Sequence, residues 1–404
     1  MTKRRVLLSS IAATTAVSGC LRTEFGDSNG TSPDSNQETS SPEGQSLSGQ
    51  AIDWSQYGYN AANTAYVQER VGPTQIGNTQ NGTVDVNDSF AIYDGLLIGG
   101  GNQYELPIEL PNGSEIARRA NHSMAVDNMI YLSGSREDGV TGWVGAFELD
   151  GGEIWNKDLE PIDDDRSFPM GSPAIADNTL YQATGDGILR AIDVDSGEPR
   201  WQYDLGGQKQ LTPAIVDGVT YATGSETVAI NQSGDVEWTR SFELQSSPVV
   251  EGERLYAVGN VGSFAADDSE PSGVMGLYSL DTQTGSIEWA TELGGLNYEG
   301  LRNIAVDDSA VYVNTNTSLA AVEKSTGDIQ FQSELDNSGE VIVTTDRIYT
   351  VGKSSSAGSI TAHLKDSGEE LWTEVISSPI MTEPVVSNNR LYVGAGNGLH
   401  VFIE

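Results

Sequence analysis

Residues 180–201 read LYQATGDGILRAIDVDSGEPRW, and near copies of the phrase return along the chain. Residues 279–289 are SLDTQTGSIEW, 321–331 are AVEKSTGDIQF and 362–372 are AHLKDSGEELW. Aligned on the glycine, each copy places an aromatic residue four positions later. Gly151 leads to Trp155, Gly197 to Trp201, Gly234 to Trp238, Gly285 to Trp289, Gly327 to Phe331 and Gly368 to Trp372. A weaker copy sets Ala117 four after Gly113, and the aromatic steps from Trp155 onward are 46, 37, 51, 42 and 41 residues. Self-similarity at such a period signals repeat architecture before it signals chemistry.

A second phrase precedes each of these, an apolar-Tyr run after an Asp, Asn or Gly turn. Examples are DNMIYLSG at 127–134, DGVTYATG at 217–224 and NNRLYVGAG at 388–396, and eight copies begin with DGLLIGG at 94–100. Both phrases alternate apolar and polar residues over four to six positions between turn residues, which is a strand pattern. Each unit then offers four short strands of the types SPAIAD, LYQATG, ILRAID and PRWQYDL. A Ser-Gly or Thr-Gly turn joins the last two, with glycine supplying the positive φ that a tight hairpin requires. Pro199 has no N–H to give to a ladder, so the Trp-bearing segment belongs at the outer edge. The expected fold is all-β: an eight-bladed β-propeller of four-stranded antiparallel blades occupying residues 51–404, about 44 residues per blade.

The aromatic at the outer edge is expected to pack between blades. Burying an indole removes about 150–250 Å² from water, worth roughly 4–6 kcal/mol as an upper bound at about 25 cal/mol per Å². This assigns Trp155, Trp201, Trp238, Trp289, Phe331 and Trp372 to blade packing. The eighth unit stops at Glu404 without a glycine turn or Trp strand, while IDWSQYG at 52–58 resembles PRWQYDLG at 199–206. An N-terminal strand carrying Trp54 is therefore expected to close the last blade and remove an open edge.

The start, MTKRRVLLSSIAATTAVSGC, has the layout of an export signal over residues 1–19: a basic region, a mildly apolar run and a small-residue exit. Arg4 and Arg5 before Val6-Leu7-Leu8 resemble a twin-arginine signal, ordinary secretion being the alternative. Val17-Ser18-Gly19-Cys20 resembles a lipobox, which assigns lipidation to Cys20, the single cysteine. Residues 20–50 combine that cysteine with Ser, Thr, Asn, Gly and acids that have little to bury, the composition of a flexible stalk. The expected location is the extracytoplasmic face of the cell membrane, held by the lipid alone.

With 58 acidic and 21 basic side chains the net charge is −37. Removal of the first nineteen residues leaves 18 basic groups and −40. No basic footprint exists for nucleic acid, and an anionic bilayer surface would repel the body. Acids spread through every repeat, with only six lysines, fit a halophile whose proteins work where the Debye length is about 3 Å.

The units LYQATGDGILRAIDVDSGEPRW and MGLYSLDTQTGSIEW, together with the opening DWSQYGYNAANTAY, resemble the pyrroloquinoline-quinone-like propeller repeat. The resemblance covers nearly all of 51–404 and implies two kinds of protein. One is the quinoprotein alcohol dehydrogenase, with quinone and Ca²⁺ in the central channel. The other is the non-catalytic BamB-type lipoprotein, a scaffold that acts through its loops. Catalytic members typically carry a disulfide of adjacent cysteines and large insertions, and neither is present here. The expected function is a non-catalytic binding protein with no cofactor and no catalytic residue. It is expected to be monomeric and to meet a protein or surface-polymer partner through loops on one rim, namely 135–143, 160–170 and 260–274. A quinone- and calcium-dependent dehydrogenase and a polysaccharide-acting surface enzyme are the alternatives.

Other chemistry is sparse. Asp163, Asp164 and Asp165 could hold Ca²⁺, but their spacing matches no calcium loop and a solvated acidic loop is the preferred reading. His122, His363 and His400 lack metal-like spacing and read as surface or loop residues. Sequons at Asn29, Asn81, Asn87, Asn112, Asn121, Asn231 and Asn316 are possible N-glycosylation sites.

Overall fold

Why a chain of short alternating runs should stay folded becomes clear from how the runs pair. The computed structural model describes residues 60, 63–65, 79–81, 90–93, 96–99, 102–105, 114–115, 123–136, 141–149, 152–159, 171–206, 211–242, 244–260, 275–293, 304–315, 317–335, 339–387 and 390–403. Among them there is no helix, and strands assemble into eight four-stranded antiparallel sheets. Seven sheets are simple meanders. The third, for example, runs Ala174–Ala176, Thr179–Ala183, Ile188–Asp193 and Pro199–Asp204 in spatial order. The first strand of each meander is innermost, and in six of the seven the strand that bears the Trp or Phe of the repeat is outermost.

Inner strands of successive sheets touch from the first sheet through the seventh, and the inner strand of the eighth, Val385–Ser387, touches that of the first, Phe90–Tyr93. One apolar cluster joins Phe90 and Ile92 of the first sheet, Ile342 and Tyr349 of the seventh, and Val385, Leu391 and Phe402 of the eighth. Middle strands such as Thr179–Ala183 are buried throughout, whereas the outer Pro199–Asp204 buries chiefly its Trp.

The aromatic phrase has a fixed place in the pairing register. In the third sheet Tyr181, Ala191 and Trp201 form one row across three strands. The same Tyr–small–aromatic row recurs as Tyr131–Ala146–Trp155, Tyr221–Ala229–Trp238 and Tyr256–Ser279–Trp289. Tyr312–Ala321–Phe331 and Tyr349–Ala362–Trp372 continue it. The small central residue lets the outer ring lean over to the tyrosine, as in the pair Tyr181–Trp201 with centroids 5.9 Å apart. A register shift immediately follows the aromatic row in all six sheets. Such bulges increase twist and interrupt pairing on what would otherwise be exposed edges.

Each indole then reaches into the next sheet. Trp155 Nε1 donates to Val194 O at 2.8 Å, Trp201 to Gln232 O at 3.2 Å, Trp238 to Thr282 O at 2.8 Å and Trp289 to Lys324 O at 2.9 Å. The acceptor lies in the glycine turn of the neighbour. At Gly285, φ is +64° and a Cβ would fall 2.6 Å from the Trp238 ring, so both backbone and space demand glycine. Gly197, Gly234, Gly327 and Gly368 stand in the same way against Trp155, Trp201, Trp289 and Phe331.

The last sheet corrects one expectation. Its outer strand is Thr79–Asn81, paired with Gly398–Ile403, and not the segment around Trp54, which lies outside the described residues. In its register Gln80 stands opposite Val401 and Tyr392, in the place an aromatic holds elsewhere.

Candidate functional site

The first described residues of the chain are Asn60 and Asn63–Ala65. Asn63 Nδ2 lies 3.3 Å from Thr212 O, 3.2 Å from Pro213 O and 3.0 Å from Pro248 O, the carbonyls just ahead of the inner strands of the fourth and fifth sheets. The backbone continues the contact on the other side. Val306 N donates to Thr64 O at 2.8 Å, and Val343 N to Ala65 O at 3.1 Å; these amides end the inner strands of the sixth and seventh sheets. Contact with four successive inner strands places the segment in the lumen that those strands surround.

The two ends of the sheets differ in kind. In a four-stranded meander, the turns between strands one and two and between three and four leave from one end. The turn between two and three, and the link to the next sheet, leave from the other. Among the described residues, the turns at the first end are short and their polar groups are committed. Arg200 and Ser196 bond the Asp193 carboxylate and hold it below the usual range. Thr284 does the same for Asp281. Asp307 is buried, which alone would raise its pKa, yet Lys365 and the N–H groups of Ser309 and Ala310 hold it low. Asn231, a sequon residue, accepts from Ser233 N at 3.0 Å and Asp235 N at 2.9 Å, so its carboxamide shapes a turn.

The opposite end carries the connections 136–141, 160–173 and 261–274, which contain most of the three loops singled out in the sequence. Several described polar groups at this end are paired. In the two–three turn of the third sheet, Asp186 and Arg190 are 0% and 5% exposed and paired at 2.8 Å, with Thr184 bonded to both. Arg136 lies 5.2 Å above the Trp143 ring and bonds Asn156 and Asp158, fixing one root of 136–141. Tyr203 Oη donates to Glu226 at 2.7 Å, which with burial pushes the phenol pKa up. Lys353 pairs with buried Glu340 at 3.1 Å.

Arg4, Arg5, Cys20, Trp54, Asp163, Asp164, Asp165, His122 and the sequon residues Asn29, Asn87, Asn112, Asn121 and Asn316 lie outside the described residues, and Asn81 is described only as part of a strand. His363 and His400 depart from the surface reading: they sit on strands, 1% and 7% exposed. Burial lowers both pKa values. Among the described residues no group of three or more His, Cys, Asp or Glu could hold a metal ion, and no helix is long and apolar enough to cross a membrane.

The sequence matches, over residues 140–267 and 316–404, the family described as outer membrane protein assembly factor BamB. A protein of that name from Yersinia pestis is 25% identical over 274 residues, covering 64% of this chain and 68% of its own. The BamB structure from Moraxella catarrhalis superposes with a TM-score of 0.58 at 16% identity, over 82% of this chain and 97% of that one. The quinohemoprotein alcohol dehydrogenase of Comamonas testosteroni gives 0.64 at 12% identity, over 87% and 80%. The structural likenesses speak for the β-propeller fold alone.

Proposed function

Because this chain belongs to the family described as outer membrane protein assembly factor BamB, we propose that it is a non-catalytic scaffold that engages a protein partner through loops at one end of a closed, eight-bladed propeller. Cys20 would anchor it to the outer face of the cell membrane through the 20–50 stalk. The observation that carries the reading is the asymmetry of the two ends. Three connections that exceed ordinary hairpin length leave from the same end, and described residues hold two of them in place: Arg136 bonds Asn156 and Asp158, and Gly171 O accepts from Gln182 Nε2 at 2.7 Å. Long loops on a rigid base more often recognise than support. The turns at the other end spend their side chains on their own geometry.

The test replaces residues 261–274 and 160–170 with short Gly-Ser links in the full chain, followed by affinity capture from membranes in high salt. The expected result is loss of the captured partner with unchanged circular dichroism. Undiminished capture by the doubly shortened chain would refute the loop assignment.

A further inference from the structure

We infer that Asn63–Ala65 is the keystone of the ring, and that the lumen, the place of quinone and calcium in the catalytic members of this repeat family, serves here as a binding site for the chain's own segment. Three carbonyl oxygens, of Thr212, Pro213 and Pro248, converge within 3.3 Å on a single carboxamide nitrogen. Carbonyls only accept, so whatever faces them must donate, and an amide NH₂ does so without bringing a charge into a buried place. Asn63 Oδ1 has no partner among the described residues, which fixes the nitrogen toward the carbonyls and leaves the donor side as the reason for asparagine.

The segment is shaped in advance for this role. Asn60 Nδ2 donates to Thr64 Oγ1 at 2.7 Å, Thr64 N donates to Asn60 Oδ1 at 3.2 Å, and Asn63 N donates to Asn60 O at 2.9 Å. The result is a closed turn with φ of +60° at Asn63 and +48° at Ala65. A left-handed alanine persists only where its surroundings enforce it. Here Ala65 is fully buried against Ala305 and Val343, and its carbonyl is tied to Val343 N. The segment therefore binds the fourth and fifth sheets by a side chain, and the sixth and seventh by its backbone. It ties these sheets from the centre, while the periphery of the last sheet is completed by only three residues, Thr79–Asn81.

The test reads amide hydrogen exchange at Val306 and Val343 in the full chain. Asn63→Ala is expected to speed exchange at both amides about tenfold or more, the scale of one to two lost hydrogen bonds. Asn60→Ala, a milder lesion that keeps the three carbonyl contacts, should speed the same amides less. Gln283→Ala, on an exposed turn, should leave them unchanged. Wild-type protection at Val306 and Val343 in both asparagine variants would overturn the keystone. Pyrroloquinoline quinone with Ca²⁺, titrated into the wild-type chain, is expected to give no heat and no change at these amides. Saturable binding that alters their exchange would overturn the assignment of the lumen.

Discussion

The junctions between the second and sixth sheets and the junction between the seventh and eighth use the same parts with different completeness. In the former, an indole N–H finds a carbonyl in the next sheet's turn, and a glycine makes room for the ring, as with Trp238, Thr282 O and Gly285. At the latter, Trp372 stacks on Phe402 with centroids 6.2 Å apart, but its Nε1 has no acceptor among the described residues. The reason is topological. The turn that would present the acceptor joins the third and fourth strands of a sheet, and in the eighth sheet these are Gly398–Ile403 and Thr79–Asn81, at opposite ends of the sequence. Closing a ring with distant segments removes the covalent turn, and with it the socket for the preceding tryptophan.

Truncation of the tryptophans should therefore separate the two kinds of junction most strongly. Trp201→Ala deletes a buried ring, its hydrogen bond to Gln232 O and its contact with Tyr181, at an expected cost of about 3–5 kcal/mol. Trp372→Ala removes a partly buried ring without a hydrogen bond, and should cost clearly less. Urea unfolding of the two variants under identical salt gives the comparison. Equal losses would mean that the open junction is as well made as the closed ones.

The glycines sharpen the same point with a built-in control. Gly285 and Gly252 both have positive φ, +64° and +61°, but only Gly285 faces an indole; nothing lies within 4 Å of a Cβ at Gly252. Gly285→Ala should combine backbone strain and overpacking, about 2–4 kcal/mol. Gly252→Ala should show the strain alone, about 1–2 kcal/mol. A difference below experimental error in thermal unfolding would remove the ring contact as the reason for glycine.

These contrasts also mark what the sequence could reveal. Strands and their order were legible because alternation and turn residues act locally, and because Pro199 with its Trp could only sit at an edge. The indole acceptors were not, since carbonyls carry no residue identity. The closing strand escaped notice because Gln80 fills an aromatic position by register alone. Asn63 escaped for a related reason: its acceptors are backbone atoms 149 to 185 residues away, and a single asparagine has no period. His363 was misread as a surface residue because a strand that is buried on both faces offers no alternation to distinguish it.

His363 bears on the junction between the sixth and seventh sheets, where Phe331 stands in the place of an indole. Phe331 packs against Gly368 but cannot donate, and the turn it meets is held from within. His363 Nδ1 lies 3.2 Å from Gly368 O, a carbonyl that can only accept, so Nδ1 carries the proton. Nε2 lies 3.0 Å from Thr350 Oγ1, a hydroxyl that donates to the neutral ring and accepts from the charged one. Burial lowers its pKa, with the Gly368 bond and Glu370 opposing. A histidine depressed in the folded state contributes fully above its unfolded value of about 6.5 and loses that contribution as pH falls toward the folded value. The loss is limited to about 1.4 kcal/mol per pH unit for one proton. Between pH 7 and 5 the wild type should therefore lose stability more steeply than His363→Gln. The excess loss should appear first as faster amide exchange in the 364–369 turn, while the Trp238–Gly285 junction stays protected. Parallel pH profiles for the two proteins would show that His363 does not govern this junction, and would return the difference between it and its neighbours to the missing indole alone.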